Sequence, residues 1–172
     1  MLENVQKELN RFAKYVVTQS RANLTRQKKN ASKQLWQSID YDLKVSKNSF
    51  QLEFLMEDYG LFQDKGVSGT EKKYNTPYKY TNKMPPPSKM DKWIVKRNLK
   101  GVRGKDGKFI SRKSLQFMIA RSIYKKGIKP SLFFTKPFEK AFKNINEDLI
   151  EAYKLDVENL LQYTIKNNLQ KK

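Results

Sequence analysis

The stretch Ile39–Met56, IDYDLKVSKNSFQLEFLM, decides the fold class. Ile39, Tyr41, Leu43 and Val45 alternate with Asp40, Asp42 and Lys44. After Lys47-Asn48, Phe50, Leu52, Phe54 and Met56 alternate with Gln51 and Glu53. A period of two puts the apolar side chains of each run on one face of a strand. Two such runs around a short Asn-containing turn predict a β-hairpin over about 38–57 with one buried face.

Upstream the period changes. Leu2, Val5, Leu9, Phe12 and Val16 recur at helical spacing, which predicts an amphipathic helix to about Leu24, and the polar stretch Thr25–Lys33 reads as a loop. Downstream, Asp58–Gly69 (DYGLFQDKGVSG) predicts a short helical turn ended by Gly66 as a left-handed cap. Residues 70–87 carry no period and end in Pro85-Pro86-Pro87, so they read as an extended arm. Ser88, with Asp91 in a capping-box-like position, predicts the start of a helix whose apolar face is Met90, Trp93 and Ile94. Lys100–Lys108 is a basic, glycine-rich excursion with an Asp-Gly turn signal.

Ser111 is the expected cap of the next helix, with a stripe of Leu115, Met118, Ile119, Ser122 and Ile123 and a stop at Gly127. Thr135 and Pro137 open a further helix with Phe138, Phe142 and Ile145 inward. Asn146 is the expected cap of a final helix lined by Leu149, Tyr153, Val157, Leu160, Leu161 and Ile165. A small antiparallel sheet with several helices around it is an α+β fold. The expected organisation is a single domain over 1–172 with a basic extended insertion, or arm, over 68–112.

Charge is concentrated in the middle of the 172 residues. Lys+Arg total 36 against 17 Asp+Glu, a formal net charge of +19. Residues 61–130 hold 19 basic and 4 acidic residues (+15), against +3 for 1–60 and +1 for 131–172. A hydrophobic content of 38% and an aromatic content of 12% argue against wholesale disorder despite the charge. The absence of Cys and His removes disulfides, Cys/His zinc sites, thiol nucleophiles and His-based general bases. No apolar run approaches the roughly 18 residues of a membrane span. The N-terminus reads as an amphipathic helix and not as a signal peptide. The expectation is a soluble, strongly basic protein made inside the cell.

Several chemistries are suggested by the motifs and weakened by what surrounds them. Lys and Arg interleaved with Tyr and Trp over 70–112 suit phosphate neutralisation and base stacking, but no recognised DNA- or RNA-binding motif accompanies them. The gap between the helices of 88–126 is too long for a helix–turn–helix. The glycines Gly101, Gly104 and Gly107 lack the Gly-Lys-Ser/Thr ending of a phosphate loop, so a surface hairpin tip is the expectation. Asp40 and Asp42 share the polar strand face and would be the carboxylates of a magnesium-dependent nuclease. A solvated face countered by nearby Lys is the simpler reading. The candidate partner contacts are Tyr74, Tyr78, Tyr80, Pro85, Pro86, Pro87 and Trp93, together with Phe133 and Phe134, which read as core or subunit-interface residues. The candidate basic contacts are Lys72, Lys73, Lys83, Lys89, Lys96, Arg97, Arg103 and Lys105. No catalytic, cofactor or metal residue is assigned.

The order of pieces resembles a known family. An amphipathic helix leads to Leu35-Trp36-Gln37-Ser38-Ile39, then the hairpin, then Tyr59, Phe62 and Gly66 in a Tyr-x-x-Phe-x-x-x-Gly pattern. After an insertion come SLQFMIARSIYKKGI and FFTKPFEKAF, the latter with Phe138, Ala141 and Phe142. This resembles the tail-completion or neck (head–tail joining) proteins of tailed bacteriophages, over about residues 1–165. The resemblance implies an α+β virion structural protein forming a ring at the portal–tail junction, made in the host cytoplasm and without catalytic residues. Implied partners are further copies in the ring, the portal and other neck or tail proteins, with packaged DNA passing nearby and no membrane. The insertion of 68–112 is longer than in compact members. A ring subunit of this kind is expected to clasp neighbours with residues 68–87, mobile until assembly, and to direct most of its positive charge at protein. A nucleic-acid-binding protein using 70–112 is the alternative.

Overall fold

The structure is a computed structural model that describes residues 2–46, 49–99, 102–105 and 107–169, with the side chains of 165 and 167–169 left out. Its elements are α1 (Glu3–Arg26), α2 (Gln34–Ser38), β1 (Asp40–Ser46), β2 (Ser49–Leu55), α3 (Tyr59–Lys65), a 3-10 turn (Pro87–Lys89), α4 (Met90–Lys96), α5 (Arg112–Lys126) and α6 (Thr135–Leu169). The fold is α+β with a two-stranded antiparallel sheet. The chain forms two compact units. One comprises residues 1–23, 38–56 and 133–172; the other comprises 24–37 and 57–132.

The first unit is built on the hairpin. Tyr41 pairs with Phe54, Leu43 with Leu52 and Val45 with Phe50, so the alternation read from the sequence places the apolar pairs on one face. The turn at Lys47-Asn48 lies outside the described residues. Leu52 and Phe54 pack on a core of Phe12, Val16 and Ile145, joined by Tyr15, Phe134, Phe138, Ala141 and Leu149. Its centre is aromatic. Phe54 meets Phe134 edge-on at 5.3 Å between centroids, and Phe12 meets Phe138 at 5.7 Å. Such pairs add about 0.5–1.5 kcal/mol beyond the area they bury. Phe133 is fully buried and its carbonyl accepts a hydrogen bond from Asn23 Nδ2 at 3.0 Å.

No new helix begins at Asn146. α6 runs unbroken from Thr135 because Ile145 and Ala152 continue one buried stripe across it. An Asn inside a helix costs only about 0.7 kcal/mol or less relative to Ala, which burial of this kind outweighs.

The second unit is held by backbone pairing. Val67 and Ile128 exchange N–H···O bonds of 2.9 and 2.8 Å, and Ser131 and Leu132 both donate to the Asp64 carbonyl at 3.0 Å. α5 starts as its sequence predicts, with Ser114 N–H donating to Ser111 Oγ at 3.1 Å. It ends at Gly127, whose φ of +71° favours glycine. The tightest point of α5 is Ala120, which is fully buried, whereas Met118 of the expected stripe is half exposed. The Ser88/Asp91 capping box does not form. Pro87–Lys89 is a 3-10 turn, α4 begins at Met90, and Asp91 is engaged instead by Arg112. Among the described residues no helix is long and apolar enough to cross a membrane.

Candidate interaction surface

The second unit carries nearly all the charge. It holds 23 Lys+Arg against 6 Asp+Glu, a net of +17, while the first unit holds 13 against 11. Some of the carboxylates are already engaged. Arg112 forks onto Asp91 with bonds of 2.6 and 2.8 Å, and Lys125 pairs with Glu71. The Asp91 carboxyl is held below its ordinary value, chiefly by the Arg112 hydrogen bonds. Six carboxylates cannot neutralise 23 cations, so a large positive excess faces outward.

The backbone that presents this charge is tightly spliced. Residues 66–69 thread between 124–128 and 74–80. Ser68 N–H donates to the Tyr78 carbonyl at 2.8 Å, and Tyr80 N–H donates to the Ser68 carbonyl at 2.9 Å. The Ser68 hydroxyl accepts from Tyr74 N–H at 3.0 Å and lies 3.1 Å from the Tyr74 carbonyl, to which it donates. Thr70 N–H bonds the Tyr124 carbonyl at 3.0 Å. A Cβ on Gly69 would lie 2.1 Å from the Lys125 carbonyl oxygen, and one on Gly127 would lie 2.1 Å from that of Val67. Only glycine permits this approach. The expected free arm over 68–87 is therefore corrected for its first half. Residues 68–80 satisfy backbone groups inside the unit and need no partner to order them.

The arm's aromatics fall in two places. Tyr78 and Tyr80, with Tyr59, Phe62, Val67, Pro77 and Ile128, line a concavity of about 660 Å³. Phe62 meets Tyr78 edge-on at 4.6 Å, and Tyr80 lies 6.2 Å from Tyr124, whose hydroxyl donates to the Thr81 carbonyl. Burial pushes the Tyr80 phenol up from its ordinary value. Trp93 and Arg97, with Lys29 and Lys33, line a second concavity of about 400 Å³. Arg97 lies over the Trp93 ring at 5.9 Å and also donates to the Lys28 carbonyl. Burial, then the neighbouring Lys129 charge, lower the Lys29 ammonium. The basic groove of Lys29 and Lys33 was not legible as a site, because the sequence shows only a polar loop.

The other predicted contacts are distributed as follows. Lys72 sits 5.6 Å from the Tyr74 ring centroid, and Lys73 donates to the Gly69 carbonyl at 2.9 Å. Lys83, Lys89, Lys96 and Lys105 are exposed, as is Pro86, while Pro85 and Pro87 are half-buried. Arg103 stacks over Phe109 at 4.1 Å and donates to the Gly107 carbonyl at 2.9 Å. An antiparallel bridge between Arg103 and Phe109 makes this the hairpin tip that the glycines suggest; Lys100, Gly101 and Asp106 lie outside the described residues. Phe133 and Phe134 do not join this surface. Phe134 packs on the aromatic core of the first unit, and Phe133, also of that unit, has no exposed area to offer a partner.

On the hairpin, Asp42 stands opposite Glu53 and Lys44 Nζ reaches both, at 3.6 and 3.3 Å. The Lys44 ammonium is raised, first by its hydrogen bond to Glu53. The Asp40 carboxylate accepts from Tyr41 N–H at 2.9 Å. This is the lysine-countered polar face that the sequence suggests. Among the described residues no group of three or more carboxylates is placed to hold a metal ion. No family model, curated protein or solved structure matches the chain.

Proposed function

We propose that this chain is a virion structural protein of a tailed bacteriophage. In this reading it is a ring-forming subunit at the portal–tail junction, joining head to tail as a neck, tail-completion or adaptor component. One observation carries the reading. The stretches on which the resemblance rests, Tyr59–Gly66 and the segment ending in Gly127-Ile128, are distant in sequence but meet in the spliced backbone of the second unit, where Val67 pairs with Ile128. At Gly66 and Gly127 of those stretches a side chain has no room.

The charge division supports the same reading. A nearly balanced unit suits contact with identical copies, and a unit of +17 suits docking on acidic surfaces of a portal or tail neighbour. The aromatic concavity of Tyr59, Phe62, Tyr78 and Tyr80 gives such a neighbour an apolar anchor point inside a basic field. The same pairing of aromatics with cations favours one other reading, sequence-independent binding of nucleic acid. Native mass spectrometry of the purified chain, alone and with short duplex DNA across a salt series, separates the two. Closed assemblies of fixed copy number, indifferent to DNA at physiological salt, are expected. A monomer or dimer that holds DNA stoichiometrically at that salt overturns the ring reading.

A further inference from the structure

α6 has two apolar stripes, and among the described residues only one of them is covered. Ile145, Leu149, Ala152 and Asp156 face the interior of the first unit. A second stripe, Ile150, Tyr153, Val157 and Leu160, is spaced three, four and three residues apart, the spacing of a seam that faces another helix. Phe142 lies about two turns nearer the start of α6 than Ile150. Phe142, Ile150, Tyr153 and Leu160 are 53%, 57%, 55% and 51% exposed. Together they leave on the order of 400 Å² of apolar surface in water, as large as patches that mark interaction sites on soluble proteins.

We infer that this stripe is a subunit contact, covered in solution by a second copy of this chain. The inference specifies where copies meet and rests on the reading of the protein as a repeated subunit. Charge selects the occupant. The first unit is nearly neutral, whereas the second carries +17, so identical copies meet with least repulsion through the first unit. The flanks of the stripe carry both signs, Lys143 and Lys154 among Glu147, Glu151 and Glu158, so one copy's flank is complementary to another's. Those carboxylates disfavour a nucleic-acid backbone at the same place. An apolar area of this size is about half of the ~800 Å² that each partner contributes to a standard interface, with the polar flanks available to form the rim.

The test uses the full chain. Sedimentation velocity across a concentration series is compared for the wild type and the double variant Tyr153→Glu/Leu160→Glu. Both side chains are more than half exposed, so the fold is expected to survive, with unchanged helical circular dichroism as the check. Self-association is expected to weaken by more than about tenfold, the effect of losing one well-buried interface anchor. In parallel, p-benzoylphenylalanine in place of Tyr153 is irradiated, and an adduct at twice the chain mass of 20.3 kDa is expected. Assembly that persists undiminished in the double variant overturns the α6 contact and leaves the repeated-subunit reading standing. A wild-type chain that stays single at every concentration overturns both.

Discussion

The carboxylate of Asp156 clasps the start of α1 at Asn4, a residue 152 positions away in sequence. Its oxygens accept from Asn4 N–H at 3.1 Å, from Asn4 Nδ2 at 2.9 Å and from Val5 N–H at 3.1 Å. A helix start carries orphan N–H donors and the positive end of the helix dipole, so a carboxylate there satisfies both. Asp156→Ala leaves those donors without this acceptor. The expected cost is about 1 kcal/mol, as for other lost helix caps, and a melting temperature lower by about 2–4 °C. Differential scanning calorimetry reads it. A variant that melts with the wild type shows that water replaces the clasp at no cost.

The same clasp has a pH signature. Burial raises the Asp156 carboxyl, but the Asn4 and Val5 backbone hydrogen bonds and the Asn4 amide outweigh it, and the net direction is below the ordinary carboxylate value. A group held low in the folded chain stabilises it above the unfolded value of about 3.9 and loses that contribution as pH falls through the folded value. The stability gap between wild type and Asp156→Ala should therefore be constant near neutral pH and close on acidification below about pH 4. A gap that widens on acidification contradicts the sign.

Gly127 and Gly107 have almost the same positive φ, +71° and +74°, but different surroundings. A Cβ on Gly127 would meet the Val67 carbonyl oxygen at 2.1 Å, and one on Gly107 would meet nothing within 4 Å. Gly107→Ala should show only the backbone penalty of about 1 kcal/mol. Gly127→Ala should lose that and more, because the splice to Val67 and Gly69 must open. Urea denaturation of the two variants measures the difference. Equal losses would mean that the splice yields freely.

These cases show which parts of the fold the sequence makes legible. The hairpin and the cap at Ser111 are local, since an alternation of period two and a Ser three residues before its bonded N–H sit within one window. Gly127 was legible as a helix stop, but not as the residue that lets Val67 approach. The Asp156 clasp was invisible because its partner is in another helix. α6 was misread for a different reason. Tyr153, Leu160 and Leu161 are apolar at helical spacing and so look inward, yet they are exposed while the buried positions include an Asp. Hydropathy marks both stripes alike and does not say which one the chain itself covers. The arm over 68–80 was misread because its order comes from backbone hydrogen bonds, which leave no side-chain period.

Phe62 and Tyr78 meet edge-on in the concavity of the second unit, at 4.6 Å between centroids. A double-mutant cycle with Phe62→Ala and Tyr78→Ala should give a coupling of about 0.5–1.5 kcal/mol in stability. Phe62 is partly exposed, so each single variant should remain folded. Independent losses, with coupling near zero, would mean that Tyr78 is placed by its backbone bond to Ser68 alone.

The excess charge of the second unit makes a prediction about DNA whichever partner it serves. Each phosphate neutralised by Lys or Arg releases counterions, so the logarithm of affinity falls linearly with the logarithm of salt, with a slope near −0.9 per contacted phosphate. A unit of +17 must show this at low salt. If its proper partner is an acidic protein surface, binding to duplex DNA should be no tighter than the ~10⁻⁴–10⁻⁶ M of non-specific complexes at physiological salt. It should also be equal for two unrelated sequences, because contacts to phosphates carry no sequence information. Fluorescence anisotropy with two labelled duplexes over a salt series measures both. Nanomolar binding at physiological salt, or a clear preference for one sequence, would assign the concavity and its lysines to nucleic acid and displace the ring reading.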